Sequence, residues 1–438
     1  MTWCFKLNVI DGPLPLTVWG VTILAAILLL VRRPTPSWLW RIVIAAAVGI
    51  GLGVALVTFV NATHLFGPAL PFACGFWIPG GFAAILLGIV SLWERGVWRK
   101  IVAALLVLLA LLSTALGVNA AFGINTTVGS VLGIASDDKI DVLPEPVPTE
   151  SSSGPLYKTW SPPADMPKTG ETAVLSGSHA IASTGGFTPR DALLYLPPAA
   201  RTAHPPRLPL IVMMMGHPGS PNATFIAKAL DDLAAKNKGL APIVIVADQL
   251  GPGGELDTGP DPVCAKTAAY GDVPAYFNVD IPAFATKNLN VSLDHRDWTI
   301  MGYSNGGACA FTWATRHPDV WGNVVSISPD EYPGVEWRAG AIKKLFGGDE
   351  AAFDALRPEA GIAENRGRFA GHLAVFTVGG ADPGFLPGAK RNARLAEEAG
   401  FTTTFHEVPG AGHVADALDG GIPFAMVLLY RHLGLSAP

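Results

Sequence analysis

A serine, a carboxylate and a histidine held in line can cleave an acyl bond, and the second half of this sequence carries a candidate for each. The run "GYSNGG" at 302–307 places Ser304 between Gly302 and Gly306 in a Gly-x-Ser-x-Gly pattern. In a nucleophile elbow the serine occupies a strained strand-to-helix turn, and the glycines let strand and helix approach without a Cβ clash. With 49 glycines in the chain, chance alone yields the pattern about 0.2 times, so its setting has to decide. Here it follows the strand-like "DWTIM" and precedes the helical "GGACAFTWATRHP", which is the order the mechanism needs. A serine hydroxyl becomes nucleophilic only when a histidine takes its proton and a carboxylate orients that histidine. His413, in the Gly-flanked "PGAGHVADAL" after the last strand-like run, is the candidate base, whereas His406 and His372 fall within or at the start of strands. The candidate acid is Asp382 in "FTVGGADPGF", just past a strand end, where side chains of parallel sheets gather at ligands. Asp349, Glu350 and Asp354 are weaker candidates, and Asp416 is equally a helix cap. An oxyanion needs preorganised N–H donors. The main chain of Asn305, next to the nucleophile, is expected to supply one. His217, in the turn "GHPGSPNAT", supplies the other, because Pro218 has no N–H to give.

These residues require a scaffold of buried strands joined by helices. Short apolar runs occur at 192–197, 208–215, 242–247, 297–302, 322–328, 372–378 and 402–408. Bounded by Gly and Pro, they read as strands of a parallel sheet buried on both faces. Helices are expected at Thr224 to Lys236, Ile281 to Leu289, Gly306 to Arg316 and Gly388 to Ala399. The predicted class is a three-layer α/β sandwich over residues 169–438.

The first 125 residues have a different character. Four apolar runs, Leu14 to Val31, Ile42 to Val60, Leu70 to Trp93 and Ile101 to Phe122, each approach the ~20 residues needed to cross a bilayer. Because three spans follow the first, it reads as retained rather than as a cleaved signal. Arg32, Arg33, Arg41, Arg95, Arg99 and Lys100 fall in the two loops that the basic-residue rule assigns to the cytoplasm. Both termini and the C-terminal domain are thereby expected outside the cell membrane. No acidic or basic residue sits within a span, so transport has no signature here. Glycines at 49, 51 and 53 and at 80, 81 and 88 suit close helix packing. Residues 126–168, with "LPEPVPTESSSGP", read as an extended linker. A net charge of −5 without a basic stripe argues against nucleic acid as a partner. Cys264 and Cys309, the cysteines of the C-terminal domain, are either a disulfide or two buried thiols. Cys4 and Cys74 share the predicted outer side.

The runs "MGHPGSP", "VIVADQLG", "VDIPAF", "GYSNGGACAFTWATRHPDVWGNVVSIS", "GGADP" and "GAGH" resemble the esterase family that includes esterase D and the mycolyltransferases. The likeness is to the actinobacterial form with a four-helix membrane anchor, and it spans about residues 165 to 435. It implies an α/β-hydrolase fold and a carboxylic ester hydrolase or acyltransferase that uses no metal or cofactor, with Ser304, Asp382 and His413 as triad. A small-molecule ester or an envelope lipid, an aminoacylated one included, would suit an anchored site. The competing class is a catalytically idle membrane interaction protein that keeps the fold.

Overall fold

The computed structural model describes residues 2–63, 70–132, 140, 154–252 and 261–437, so much of the expected linker lies outside the described residues. The chain divides into two compact units, Met1–Ser136 and Asp137–Pro438.

In the first unit each apolar run forms one helix: α1 Pro13–Leu30, α2 Pro36–Thr63, α3 Cys74–Ser91 and α4 Val97–Phe122. All four are long and apolar enough to cross a membrane. Helix α2 starts at Pro36 rather than the expected Ile42, because a first-turn proline loses no needed N–H. Helix α3 starts at Cys74 rather than Leu70, after a turn in which the Cys74 N–H donates to Pro71 O. Gly49 and Gly53, one turn apart on α2, face α3: a Cβ on either would come within 2.6 Å of Ala83 Cα or 2.4 Å of Pro79 Cα. Gly81 and Gly88 likewise receive Thr114 and Val107 of α4, while Gly51 and Gly80 meet nothing. Small residues thus set the helix spacing, as where apolar collapse gives no drive between helices. At one end of the bundle Arg32 pairs with Glu94, and Arg99 donates to the carbonyls of Leu29 and Val31. Elsewhere Asn8 bridges to Thr127, which brings the two ends of this unit's sequence together. Cys4 and Cys74 are not joined by a disulfide.

The second unit is built on an eight-stranded sheet. Its strands are β1 Glu171–Leu175, β2 Ala192–Leu196, β3 Leu210–Met214, β4 Ile243–Val246, β5 Trp298–Tyr303, β6 Asn323–Ile327, β7 Leu373–Gly379 and β8 Thr402–Val408. Their order is β1-β2-β4-β3-β5-β6-β7-β8. From β4 to β8 neighbours run parallel, but β2 is antiparallel to both β1 and β4, contrary to the all-parallel expectation. The residue pattern of β2, apolar throughout, looks the same in either direction, and periodicity says nothing of polarity. Strand β8 is also only partly buried, since it forms a sheet edge. The longer helices are α5 Thr224–Ala234, α6 Ile281–Asn288, α7 Asn305–Arg316, α8 Leu386–Ala399 and α9 Ala415–His432. Adjacent β7 residues show the layering, because alternate side chains leave a strand on opposite faces. Phe376 meets Phe311 of α7 edge-on at 5.0 Å, whereas Thr377 lies against Gly421 of α9. Helices therefore cover both faces, and the molecule is an α/β-hydrolase sandwich. Trp298, Trp313, Trp321 and Phe277 fill its interior. Helix α9 is not among the helices expected from the sequence, although a capping role for Asp416 implied one nearby; a Cβ at Gly420 would strike Val408, so its glycines admit the helix to the sheet. Before β1, the Trp160 indole N–H donates to Lys238 O at 3.0 Å, and the Tyr157 N–H to Gly434 O at 3.1 Å.

Candidate active site

Strand β5 ends at Tyr303 and α7 begins at Asn305, which leaves Ser304 as the single residue of the turn. It takes φ 55° and ψ −122°, outside the regions open to an L-residue at low cost. Hydrogen bonds hold it there: its N–H donates to Ile327 O at 2.8 Å, and its carbonyl accepts from Gly307 N at 2.9 Å. The flanking glycines are obligatory. A Cβ at Gly302 would lie 2.0 Å from Gly306 O, and one at Gly306 would lie 2.5 Å from Met215 O.

Two loops from the C-terminal ends of β7 and β8 meet this turn. His413 Nε2 is 2.9 Å from Ser304 Oγ, and His413 Nδ1 is 2.7 Å from Asp382 Oδ2. All three side chains are buried. With Asp382 ionised, Nδ1 carries the ring proton and Nε2 accepts from the serine hydroxyl, the tautomer a general base requires. The loops interlock through the main chain: Ala381 N–H donates to Ala411 O and Gly380 N–H to Val408 O, both at 2.8 Å. The Tyr303 hydroxyl donates to the carbonyl of His413 at 2.6 Å, and burial together with the Asp382 charge holds that phenol protonated well above its usual range.

The other sequence candidates lie elsewhere. Asp416 accepts from Gly412 N–H at 2.6 Å and so braces the histidine loop without bonding the imidazole. Asp349 caps a short helix by accepting from Ala352 N–H, while Glu350 and Asp354 pair with Arg338. His406 stacks on Phe424, and His372 packs against Phe369 and Phe401. Around Asn305 the structure adds residues that sequence reasoning did not single out. Its side-chain amide donates to Asp261 Oδ2 at 2.7 Å and accepts from Gln249 Nε2 at 3.1 Å. Gln249 Nε2 also donates to Met215 O at 2.6 Å, so one buried amide spans the elbow and the end of β3. Next to Met215, a Cβ on Gly216 would come 3.1 Å from Ser304 Cβ, which brings the turn carrying His217 close to Ser304. Arg190 ties that turn down by donating to Gly219 O and to Asp248 Oδ1, each at 2.7 Å. The signal for Gln249 was its place in "VADQLG" after β4, the sheet end at which the other site residues gather.

A disulfide joins Cys264 to Cys309 of α7, with Cα atoms 5.5 Å apart. Acidic groups collect nearby. Burial raises Asp261 to about 6, against hydrogen bonds from Val263 and Asn305 that lower it. Burial, then the charges of Glu336, Asp261 and Asp382, holds Asp330 well above the usual carboxylate range.

Residues 188–414 match the family described as "Putative esterase". An uncharacterized protein of Corynebacterium glutamicum is 32% identical over 349 residues, 77% of each chain. Among solved structures, an S-formylglutathione hydrolase from Agrobacterium tumefaciens superposes with a TM-score of 0.48 at 20% identity, over 61% of this chain and 98% of its own. A fluorophosphonate-binding serine hydrolase of Staphylococcus aureus gives 0.45 at 16% identity, over 60% and 98%.

Proposed function

Since the chain belongs to this esterase family and is a carboxylic ester hydrolase, we propose that it works through an acyl-enzyme formed on Ser304, with His413 as general base and Asp382 as the orienting acid. The observation that carries the reading is the unbroken line from Ser304 Oγ to His413 to Asp382, at 2.9 and 2.7 Å, on a strained elbow. Ser304 Oγ attacks the ester carbonyl while its proton passes to His413 Nε2. The main-chain N–H groups of Asn305 and His217 receive the oxyanion. Collapse breaks the bond to the alcohol, which leaves with the proton from His413. Water, or a second alcohol if the enzyme transfers acyl groups, then repeats the sequence in reverse.

The four apolar helices act as a membrane anchor in this reading, with the hydrolase unit and both termini outside the cytoplasm. Support comes from the basic residues Arg32 and Arg99, which share one end of the bundle, and from the Cys264–Cys309 bridge, which needs an oxidising compartment. The substrate is an ester of the envelope, a lipid or a small acyl ester.

A fluorophosphonate probe on isolated membranes tests the chemistry: it labels the wild type and spares Ser304→Ala. Labelling that persists in that variant sinks the assignment. For topology, Ser152→Cys reacts with an impermeant thiol reagent in intact cells and Ser37→Cys does not; the opposite pattern reverses the orientation. Lipid mass spectrometry before and after deletion of the gene identifies the ester, which accumulates in the deletion strain.

A further inference from the structure

The imidazole of His413 is in contact with more than its two hydrogen-bond partners. The ring of Phe385 lies on its face, with centroids 3.7 Å apart and planes 29° from parallel. Tyr303 stands at 5.3 Å and 35°, and its hydroxyl also holds the histidine's carbonyl. Phe385 comes three residues after Asp382, immediately before α8, in a turn closed by the Leu386 N–H donating to Asp382 O at 3.1 Å. One turn of chain thus delivers both a carboxylate to the edge of the imidazole and an aromatic ring to its face. Phe385 is only half-buried and is not among the buried hydrophobic side chains of the interior, so core packing does not account for its position.

We propose that Phe385 is a positioning residue for His413. Resting on the triad reading, the proposal gives this ring two tasks. It stops the imidazole from turning about its bond to the main chain, which keeps Nε2 aimed at Ser304 as the acyl-enzyme forms and breaks down. It also presents a π face to the imidazolium produced when the serine proton arrives, and such a face attracts a cation within about 6 Å of the ring centroid. The charged and titratable groups that face the imidazole are Asp382 at Nδ1, Ser304 at Nε2 and Tyr303 from β5. Asp416 bonds the adjacent Gly412, and the charge of Asp330 reaches Asp382. Of the two uncharged aromatic rings beside the imidazole, Phe385 is the nearer and the more nearly parallel, at 3.7 Å and 29° against 5.3 Å and 35° for Tyr303.

The test uses the full-length chain in detergent with p-nitrophenyl butyrate, and compares Phe385→Leu, Phe385→Met and Phe385→Tyr. Leu and Met fill space without a π face; Tyr restores it. For Leu and Met, kcat is expected to fall about tenfold with KM within a factor of two. The acidic limb of the kcat profile moves to lower pH, because the protonated ring has lost a favourable neighbour. Phe385→Tyr returns both readouts to near wild type. If Leu and Met leave kcat and the acidic limb unchanged, or raise KM alone, Phe385 is a pocket wall and the proposal is overturned. Two aliphatic variants guard against a folding defect peculiar to one. The triad reading fails by a different result, namely turnover or probe labelling that survives in Ser304→Ala.

Discussion

Both units place glycine where two backbones approach too closely for a Cβ, yet the close contacts serve different ends. In the four-helix unit Gly49 and Gly53 seat α2 on α3, and hydroxyl groups such as Thr17, Ser91 and Thr114 bond to carbonyls one turn back in their own helices. Those hydroxyls are satisfied within their own helix, and Thr22 of α1, bonded one turn back to Val18 O, also meets Ser113 of α4 at 2.7 Å. In the hydrolase unit Gly302 closes the elbow onto Gly306, while Gly306 and Gly379 bring together segments far apart in sequence, and the polar atoms so gathered bond across the gap. The same steric device therefore yields a tolerant scaffold in one region and a narrowly specified constellation in the other. Substitutions in the first should cost stability and leave chemistry alone, whereas those in the second should do the reverse.

The largest effect separating the two falls on the triad. Ser304→Ala and His413→Ala should each lower kcat by about four to six decades, and the double variant should be hardly slower than either single, since the pair acts as a unit. Losses that multiply would show two independent contributors. Next, Asp382→Asn is expected to cost roughly 10⁴ in kcat by admitting the wrong tautomer. Asp416→Asn, which keeps an acceptor for the Gly412 N–H, should cost less than about tenfold by the same logic of roles. An inversion of that order would move the acid to Asp416.

In the helical unit, Gly53→Leu should lower the thermal stability of the detergent-solubilised protein, by about 1–3 kcal/mol on the scale of overpacked contacts. Its kcat on a soluble ester, per folded molecule, should be unchanged; a dead but folded variant would break the comparison. The smallest effect concerns pH. Asp261 is an acid whose pKa rises on folding, from 3.8 to about 6, chiefly through burial. Its contribution to stability is complete below the unfolded value and is lost as pH climbs through about 6. Asp261→Asn should therefore match the wild type near pH 4 and exceed it above pH 7. The upper bound is about 3 kcal/mol, and weaker hydrogen bonds from a neutral amide to Asn305 and Val263 bring it to the order of 1 kcal/mol. Melting curves at the two pH values check this, and a gap that does not widen would refute it.

What could be read from the sequence tracks how local its cause is. The elbow is written in consecutive residues, so "DWTIMGYSNGG" disclosed strand, turn and helix together. Seven of the eight main strands announced themselves as apolar runs bounded by Gly or Pro. The reversed direction of β2 and the edge position of β8 did not, because strand direction and neighbours depend on partners distant in sequence. Of helix α9 the sequence offered only the capping role of Asp416, and the contacts of its glycines with Val408 and Thr377 lie outside the helix. Gln249, Asp261 and Phe385 escaped notice for the same reason: each acts on a residue dozens of positions away, and an isolated amide, acid or phenylalanine carries no periodic mark.

The Cys264–Cys309 bridge spans 45 positions of chain. In the chain-entropy view, a loop of that length shortens the list of conformations open to the unfolded polypeptide by an amount equal to about 4 kcal/mol. One end of the loop is the helix that follows Ser304, and the other adjoins Asp261, which holds Asn305. Biosynthesis acquires an ordering from this. A chain that has not yet met an oxidant must fold its elbow without the cross-link, and it gains the last increment of stability at that wall only when the two thiols are oxidised.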